Sequence, residues 1–305
     1  MTALPSPCLP NHALSGVLAF DDEQAPAAAL ATRLGVPLHL IARHRFPDGE
    51  LKLRLPPQLQ GTVLLYRSLH QPNEKLVELL ITAPSARALG AQAVWLVAPY
   101  LAYMRQDMAF TPGEAVSQRH IAALLARHFE RIVTVDPHLH RIASLDEVMP
   151  PGHGVSLSAA GLIGAWVAQR VSQPLLLGPD EESAQWVRQA AQACTPAAEH
   201  AWCVKQRHGD REVHVTLPPG LDCRGRAVVL VDDMASTGRT LVAAARLALA
   251  AGAATVDVAV THALFVADAL AQLQATGVRH VWSTDCVPHA SNAIPVLPLL
   301  LPALR

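Results

Sequence analysis

A surplus of charge of either sign is missing from this 305-residue sequence. Its 24 lysines and arginines stand against 25 aspartates and glutamates, which argues against a surface built to neutralise nucleic-acid phosphates. Charged residues make up only 16% and aromatics 4%, while 51% of the chain is apolar; that balance excludes a disordered chain. Cysteine is sparse as well. Cys8, Cys194, Cys203, Cys223 and Cys286 are odd in number, scattered and without CxxC spacing, so they read as reduced thiols and not as a disulfide framework or zinc site. No apolar run reaches membrane-spanning length without a charge or proline in it. The opening residues carry Pro5, Pro7 and Pro10 and no positive charge ahead of an apolar run, unlike a signal peptide. A GxxxxGK[ST] loop is absent, which excludes an ordinary P-loop kinase or ATPase. The expectation is a cytoplasmic protein with neither nucleic acid nor a membrane as partner.

What is present is a rhythm. Short apolar runs recur: GVLAF near 16, TVLLY at 62, AVWLVAPY at 93, RIVTVDPH at 131, PLLLGPD at 174, AVVLVDD at 227, TVDVAVTHAL at 255 and HVWSTD at 280. Runs of this length read as buried parallel strands. The Ala-rich stretches between them, such as EKLVELLITAPSARALGA and RTLVAAARLALAAGA, read as covering helices that end at glycine. Such alternation predicts an α/β fold of open, mainly parallel sheets flanked by helices, with ligands at the carboxyl edge of the strands. The length suits two domains. The Pro-, Gly- and Ser-rich segment MPPGHGVSLS divides them into 1–152 and 153–292, and the apolar, proline-broken tail at 293–305 is expected to pack back on the core.

The sharpest chemistry lies in VVLVDDMASTGRTL, residues 228–241. A strand runs into two adjacent carboxylates, Asp232 and Asp233, and passes through Ser236, Thr237 and Gly238 into a helix that opens with Arg239 and Thr240. Backbone N–H groups at a helix start, aided by hydroxyls, cradle a phosphate. Carboxylates one turn earlier would repel that phosphate, so they suit the hydroxyls of a sugar. Phosphate at one end and a vicinal diol at the other describe ribose 5-phosphate. The plainer reading is that the acids end a strand and Ser236 caps a helix.

This segment resembles the phosphoribosyl diphosphate binding loop shared by type I phosphoribosyltransferases and ribose-phosphate diphosphokinases, with Arg239 where glycine is usual. Further segments resemble the diphosphokinase branch. FPDGE at 46–50, a Pro-Asp-Gly turn on its own, is similar to the family's adenine- and ribose-contacting loop. PYLAYMRQD with FTPGEAVS, 99–117, resembles its ATP-contacting stretch. The resemblance therefore implies ATP contacts at Phe46, Asp48, Glu50, Arg105, Gln106 and Asp107. TVDPH at 134–138 is similar to TVDLH and implies a magnesium-site role for His138. GPDEES at 178–183 resembles the SPD segment and implies the same for Asp180, although Glu181, Glu182 and Ser183 replace the usual glycines. VKQRHGDREVHV at 204–215 stands where the family has its catalytic KRR loop, which makes Lys205 and Arg207 the catalytic cations, with Gln206 between them. The loop then implies Asp232, Asp233, Ser236, Thr237, Gly238, Arg239 and Thr240 as the ribose 5-phosphate site.

Taken together, the resemblance implies two similar phosphoribosyltransferase-like domains and a Mg2+-dependent transfer of diphosphate from ATP to ribose 5-phosphate, in a homo-oligomer of two, four or six chains. A phosphoribosyltransferase, a catalytically silent homologue and a hydrolase with a metal at His138 and His140 are the alternatives. The first has no use for FPDGE or RQD.

Overall fold

The computed structural model describes residues 13–208 and 212–305, with side chains excepted across 205–214. The chain forms two compact units, one running to Leu157 and taking in Leu297–Arg305, the other Ser158–Val296.

The first unit contains β1 (Leu14–Ala19), α1 (Gln24–Leu34), β2 (Leu38–Leu40), β3 (Ala42–Arg45), β4 (Leu51–Arg54), β5 (Thr62–Tyr66), α2 (Pro72–Ala88), β6 (Ala93–Val97), α3 (Ser117–His128), β7 (Arg131–Val135) and β8 (Gly154–Leu157). Six strands make a parallel sheet in the order β2-β1-β5-β6-β7-β8, and β3 pairs antiparallel with β4 as a separate hairpin. β5 is buried along its whole length, as a strand covered on both faces must be. α2 opens with Pro72 at its first turn, where a missing N–H costs nothing. It stops at Gly90, whose φ of +110° and whose approach to Leu59 O leave no room for a Cβ. The N–H of Ala91 returns to Ala86 O at 3.0 Å, closing the helix end. The proline-rich segment at 149–154 leads into β8, which pairs with β7, and so the units divide at Leu157 instead of at residue 152.

The second unit begins with α4 (Ala160–Ala168) and continues through β9 (Leu175–Gly178), α5 (Ala184–Ala193), β10 (Glu199–Trp202), β11 (Val204–His208), β12 (Glu212–Thr216), β13 (Ala227–Ala235), α6 (Arg239–Ala250), β14 (Thr255–Ala263), α7 (Ala269–Ala275), β15 (Val278–Thr284) and β16 (Asn292–Ile294). Its parallel sheet has the order β10-β9-β13-β14-β15-β16, again with a separate hairpin, β11/β12. After α4, strand, helix, edge strand, hairpin and the remaining strands follow in the same order as in the first unit. The fold is α/β, in two similar units.

Period-two alternation builds the second core. Leu175, Leu177, Val228 and Leu230 pack with Leu241 and Ala245 of α6. Leu176, Val229 and Val231 face Ile163 of α4 and Val187 of α5. β16 takes the first residues of the expected tail into the second sheet. The remainder, a helical turn at Leu297–Leu300 continuing through Leu301–Leu304, buries Leu300, Leu301 and Leu304 and touches α1 of the first unit. Among the described residues no helix is long and apolar enough to cross a membrane.

Candidate active site

In each sheet the chain leaves the first strand toward one edge and returns on the other side, so the strand order reverses between β1 and β5 and again between β9 and β13. Crevices at such carboxyl-edge reversals are where open α/β sheets bind ligands. The two units fill them differently.

In the second unit, β9 pairs with β13 only as far as Leu177 opposite Leu230. β14 stays paired with β13 through Ala235 opposite Ala263. β13 therefore runs past the acids instead of ending at them, because β14 supplies partners there and β9 does not. Asp232 and Asp233 sit on the stretch whose β9 side is open, and they alternate across the strand. Asp233 is buried, and its N–H donates to Asp232 Oδ1 at 3.0 Å. Burial, reinforced by the charges of Asp233 and Asp180, holds the Asp232 carboxyl well above the usual range.

Beyond β13 the loop is tied down by Leu264 N–H on Ala235 O at 2.9 Å and Val266 N–H on Ser236 O at 3.2 Å. Gly238, at φ +70°, is the residue before α6, and no side chain caps the helix. Ser236 thus is not the cap that the plain reading assigned to it. The first turn of α6 therefore has no side-chain cap beside Ser236, Thr237 and Thr240, and an uncapped helix start is an arrangement that suits an anion. Asp180, at the end of β9, accepts from the N–H groups of Glu182 at 3.1 Å and Ser183 at 3.3 Å. One of its oxygens thereby caps the turn that opens α5, a use of this residue that GPDEES alone did not suggest. The hairpin with Lys205 and Arg207 leaves the same edge, since Cys203 N–H bonds Gly178 O at 2.8 Å just before β11. In backbone register Lys205 lies opposite Val215 and Arg207 opposite Val213; their side chains lie outside the described residues.

In the first unit the corresponding crevice is filled by the protein's own charges. Arg67, directly after β5, is 1% exposed and reaches Asp22 at 2.8 Å, Glu23 at 3.0 Å and Glu78 at 2.5 Å. Arg43 joins Glu78 at 2.5 Å and Asp21 at 2.9 Å. The Arg67 guanidinium also lies over the Phe20 ring, 4.7 Å from its centroid. Nearby, Lys75 Nζ donates to Ser68 O at 2.7 Å, and burial lowers its pKa to about 8. Sequence reasoning missed this cluster. Its signal was charge placed directly after two fully apolar strands, DDE after GVLAF and Arg67 after TVLLY.

The other residues expected at the site fall into three groups in this unit. Phe46, Asp48 and Glu50 form the tip of the β3/β4 hairpin: Gly49 N–H bonds Phe46 O at 2.9 Å, Phe46 N–H bonds Glu50 O at 2.8 Å, and Glu50 N–H bonds Asp48 Oδ1 at 3.2 Å. Arg105, Gln106 and Asp107 follow β6. Gln106 Nε2 donates to Met108 O at 2.9 Å, Asp107 pairs with Arg141, and Arg105 is exposed. Among the described residues no hydrogen bond or ion pair joins the hairpin tip to these three. His138 follows β7 and meets His140 edge-on, with centroids 3.8 Å apart. The turn into it begins at Asp136, a non-glycine residue at φ +37°, and such local strain is commonest at functional loops.

Comparison with known proteins covers both units. The family model described as the N-terminal domain of ribose phosphate pyrophosphokinase matches residues 16–128, and the phosphoribosyl transferase domain model matches 157–292. The ribose-phosphate pyrophosphokinase of Methanopyrus kandleri is 38% identical over 95% of this chain and 98% of its own. That of Methanosarcina acetivorans is 34% identical over 92% and 96%. In three dimensions the phosphoribosylpyrophosphate synthetase of Mycobacterium smegmatis superposes with a TM-score of 0.80 over 95% of this chain and 97% of its own, at 24% identity, a likeness of fold. Relatives this similar, matched nearly end to end across both units, show that the chain belongs to the ribose-phosphate pyrophosphokinase family.

Proposed function

We propose that this chain transfers the terminal diphosphate of ATP to ribose 5-phosphate, giving 5-phosphoribosyl 1-diphosphate and AMP. The observation that carries this reading is the order along β13 and α6: paired acids, Asp233 buried and Asp232 half-buried, at an open strand edge, then a helix start with no side-chain cap. The printed names of the relatives support the same reaction. Asp232 and Asp233 accept hydrogen bonds from the ribose hydroxyls. Ser236, Thr237, Thr240 and the first N–H groups of α6, with Gly238 giving close approach and Arg239 added charge, hold the 5-phosphate.

The anomeric oxygen attacks the β-phosphorus in line as the bond to the α-phosphate bridging oxygen breaks. AMP departs with that oxygen, and the proton of the anomeric hydroxyl passes to solvent. Lys205 and Arg207 stabilise charge on the transferring group. Phe46, Asp48 and Glu50, with Arg105 and Gln106, hold the nucleotide, and Asp107 of the same segment is paired with Arg141. A hard dication fits a carboxylate set in which burial, and after it mutual repulsion, raises the Asp232 pKa. Asp180 and His138 would hold Mg2+, which when bound neutralises phosphate oxygens and aligns donor with acceptor. We place the activity in the cytoplasm and in a homo-oligomer; the exposed apolar side chains of Leu40 and Val77 on the first unit support the second of these.

The test is product analysis with protein, Mg-ATP and ribose 5-phosphate. AMP formed one for one with sugar consumed is expected, and 2-deoxyribose 5-phosphate should be a poor substitute because it lacks the diol. ADP as the nucleotide product would refute the reading.

The raised carboxyl gives a second expectation. Between the unfolded aspartate range near pH 4 and its raised folded value, Asp232 binds more proton in the folded chain than in the unfolded one, so it destabilises increasingly as pH rises. Asp232→Asn should therefore stabilise the free protein at pH 7 by about 1–2 kcal/mol, while lowering kcat/KM for ribose 5-phosphate roughly 10- to 100-fold. Denaturant midpoints from pH 3.5 to 7.5 check this: the gap between variant and wild type should open with rising pH and vanish at the acid end.

A further inference from the structure

The segment assigned to ATP contains a carboxylate, Asp107, that a polyphosphate should repel. Its side chain is 2% exposed. Oδ1 accepts from Arg141 Nη1 at 2.6 Å, and Oδ2 is buried without a partner among the described residues. Arg141 is 47% exposed and makes no other hydrogen bond among the described residues. Its guanidinium lies over the ring of Phe110, 5.6 Å from the centroid. Three segments thus meet at one side chain: the RQD run, the loop from Phe110 to Glu114, and the run leaving β7. The loop is already closed on itself, because Glu114 accepts from Phe110 N–H at 2.7 Å and Thr111 Oγ1 at 2.7 Å.

We propose that Arg141 contacts the polyphosphate of ATP, and that Asp107 is the positioning residue that holds its guanidinium instead of touching the nucleotide itself. This rests on the reading above that ATP is the donor bound on the first unit. A guanidinium has five N–H donors in a rigid fork. One is committed to Asp107, which fixes the plane; the others remain for phosphate oxygens, for which the fork is well suited. The carboxylate reduces the rotamer freedom that Arg141 would otherwise lose on binding, and the ring of Phe110 supports one face of the fork. Asp107, covered by its cation, no longer opposes the ligand's charge.

The test uses the full chain with Arg141→Gln, Arg141→Lys, Asp107→Asn and the Asp107→Asn/Arg141→Gln pair. Calorimetry measures affinity for the magnesium complex of a non-hydrolysable ATP analogue, and steady-state kinetics give KM for both substrates. Arg141→Gln should weaken analogue binding roughly 10- to 100-fold and leave KM for ribose 5-phosphate within about twofold, with Arg141→Lys intermediate. Asp107→Asn should weaken analogue binding less, and the pair should be no worse than Arg141→Gln alone, the non-additivity of residues acting through one contact. Wild-type analogue affinity in Arg141→Gln would overturn the proposal. So would equal loss of both substrates that lysine fails to rescue. If the wild type binds the analogue in an Arg141-dependent way yet forms no AMP, the diphosphate reading fails and the Arg141 assignment stands.

Discussion

Lys205→Ala is expected to lower kcat by about two to four powers of ten while leaving affinity for a non-hydrolysable Mg-ATP analogue within about twofold. In the reactants the diphosphate is already matched by its resident contacts. During transfer, negative charge shifts among the attacking, transferring and leaving oxygens, and only a cation placed for that moment lowers the barrier. The backbone of Lys205 lies on the strand that leaves the carboxyl edge directly after the Cys203 N–H bond to Gly178 O at 2.8 Å. A loss shared equally by kcat and kcat/KM identifies a contact made only in the transition state, whereas a raised KM with kcat intact identifies ordinary binding. Rapid-quench measurement of AMP separates the two, and the second pattern would remove Lys205 from its catalytic role. Arg207→Ala should behave in the same way with a smaller effect, since one cation remains.

Arg67→Met is expected to be the most destabilising single change in the first unit, by about 3–5 kcal/mol. A globular protein has only about 5–15 kcal/mol in total, so the variant should melt far lower or fail to accumulate. Methionine fills much of the volume over Phe20, so the loss is mainly electrostatic. It strands Glu23 and Glu78, which are 3% and 1% exposed, without the guanidinium that joins them. Glu23 is held above its usual range by burial, against the opposing pull of Arg67 and Lys75. Removing Arg67 leaves burial less opposed. The triple variant Glu23→Gln/Glu78→Gln/Arg67→Met should recover most of the loss, because an apolar or neutral replacement of a whole buried ion cluster is often close to neutral. Chemical denaturation of the single and triple variants checks both statements; a single variant within about 1 kcal/mol of wild type would mean that the cluster does not hold the crevice closed.

The contrast between the two crevices carries the functional argument. The same topology arises twice, and at the same reversal point one copy has an arginine bound by its own acids while the other carries the paired acids Asp232 and Asp233 on a stretch of β13 that β9 leaves open. That difference is readable only in three dimensions. In sequence the two halves share no visible repeat, because a parallel sheet dictates apolar runs and their spacing, and many residues satisfy both.

Much of the fold was legible for that reason. All eight apolar runs are strands, and both Ala-rich helices stand where glycine stops them; α2 even carries Pro84 in its interior, on the exposed side. The elements that escaped are the edges: LHL of β2, GVSL of β8, EHAW of β10 and NAI of β16. Edge strands are short and half polar because one side meets water, so their pattern fades into that of loops. FPDGE was legible as a turn, but the hairpin around it was not, since β3 and β4 are rich in Arg, His and Lys. At the site, DD followed by STG announced its chemistry because local order along the chain is also the order of ligand contacts. Arg141 did not, since its meaning depends on Asp107, which is distant in sequence. Gly238 was legible as part of the loop into α6 and the missing cap was not, since Ser236 in the sequence looks like the residue that would supply one.

Phosphorus NMR of the complete reaction tests the central claim most directly. With Mg-ATP and ribose 5-phosphate, the account predicts that the three ATP resonances give way to that of AMP and to a pair of mutually coupled diphosphate signals, one of them further split by an anomeric proton. Growth of ADP signals, or of free diphosphate with no sugar-linked resonance, would contradict it.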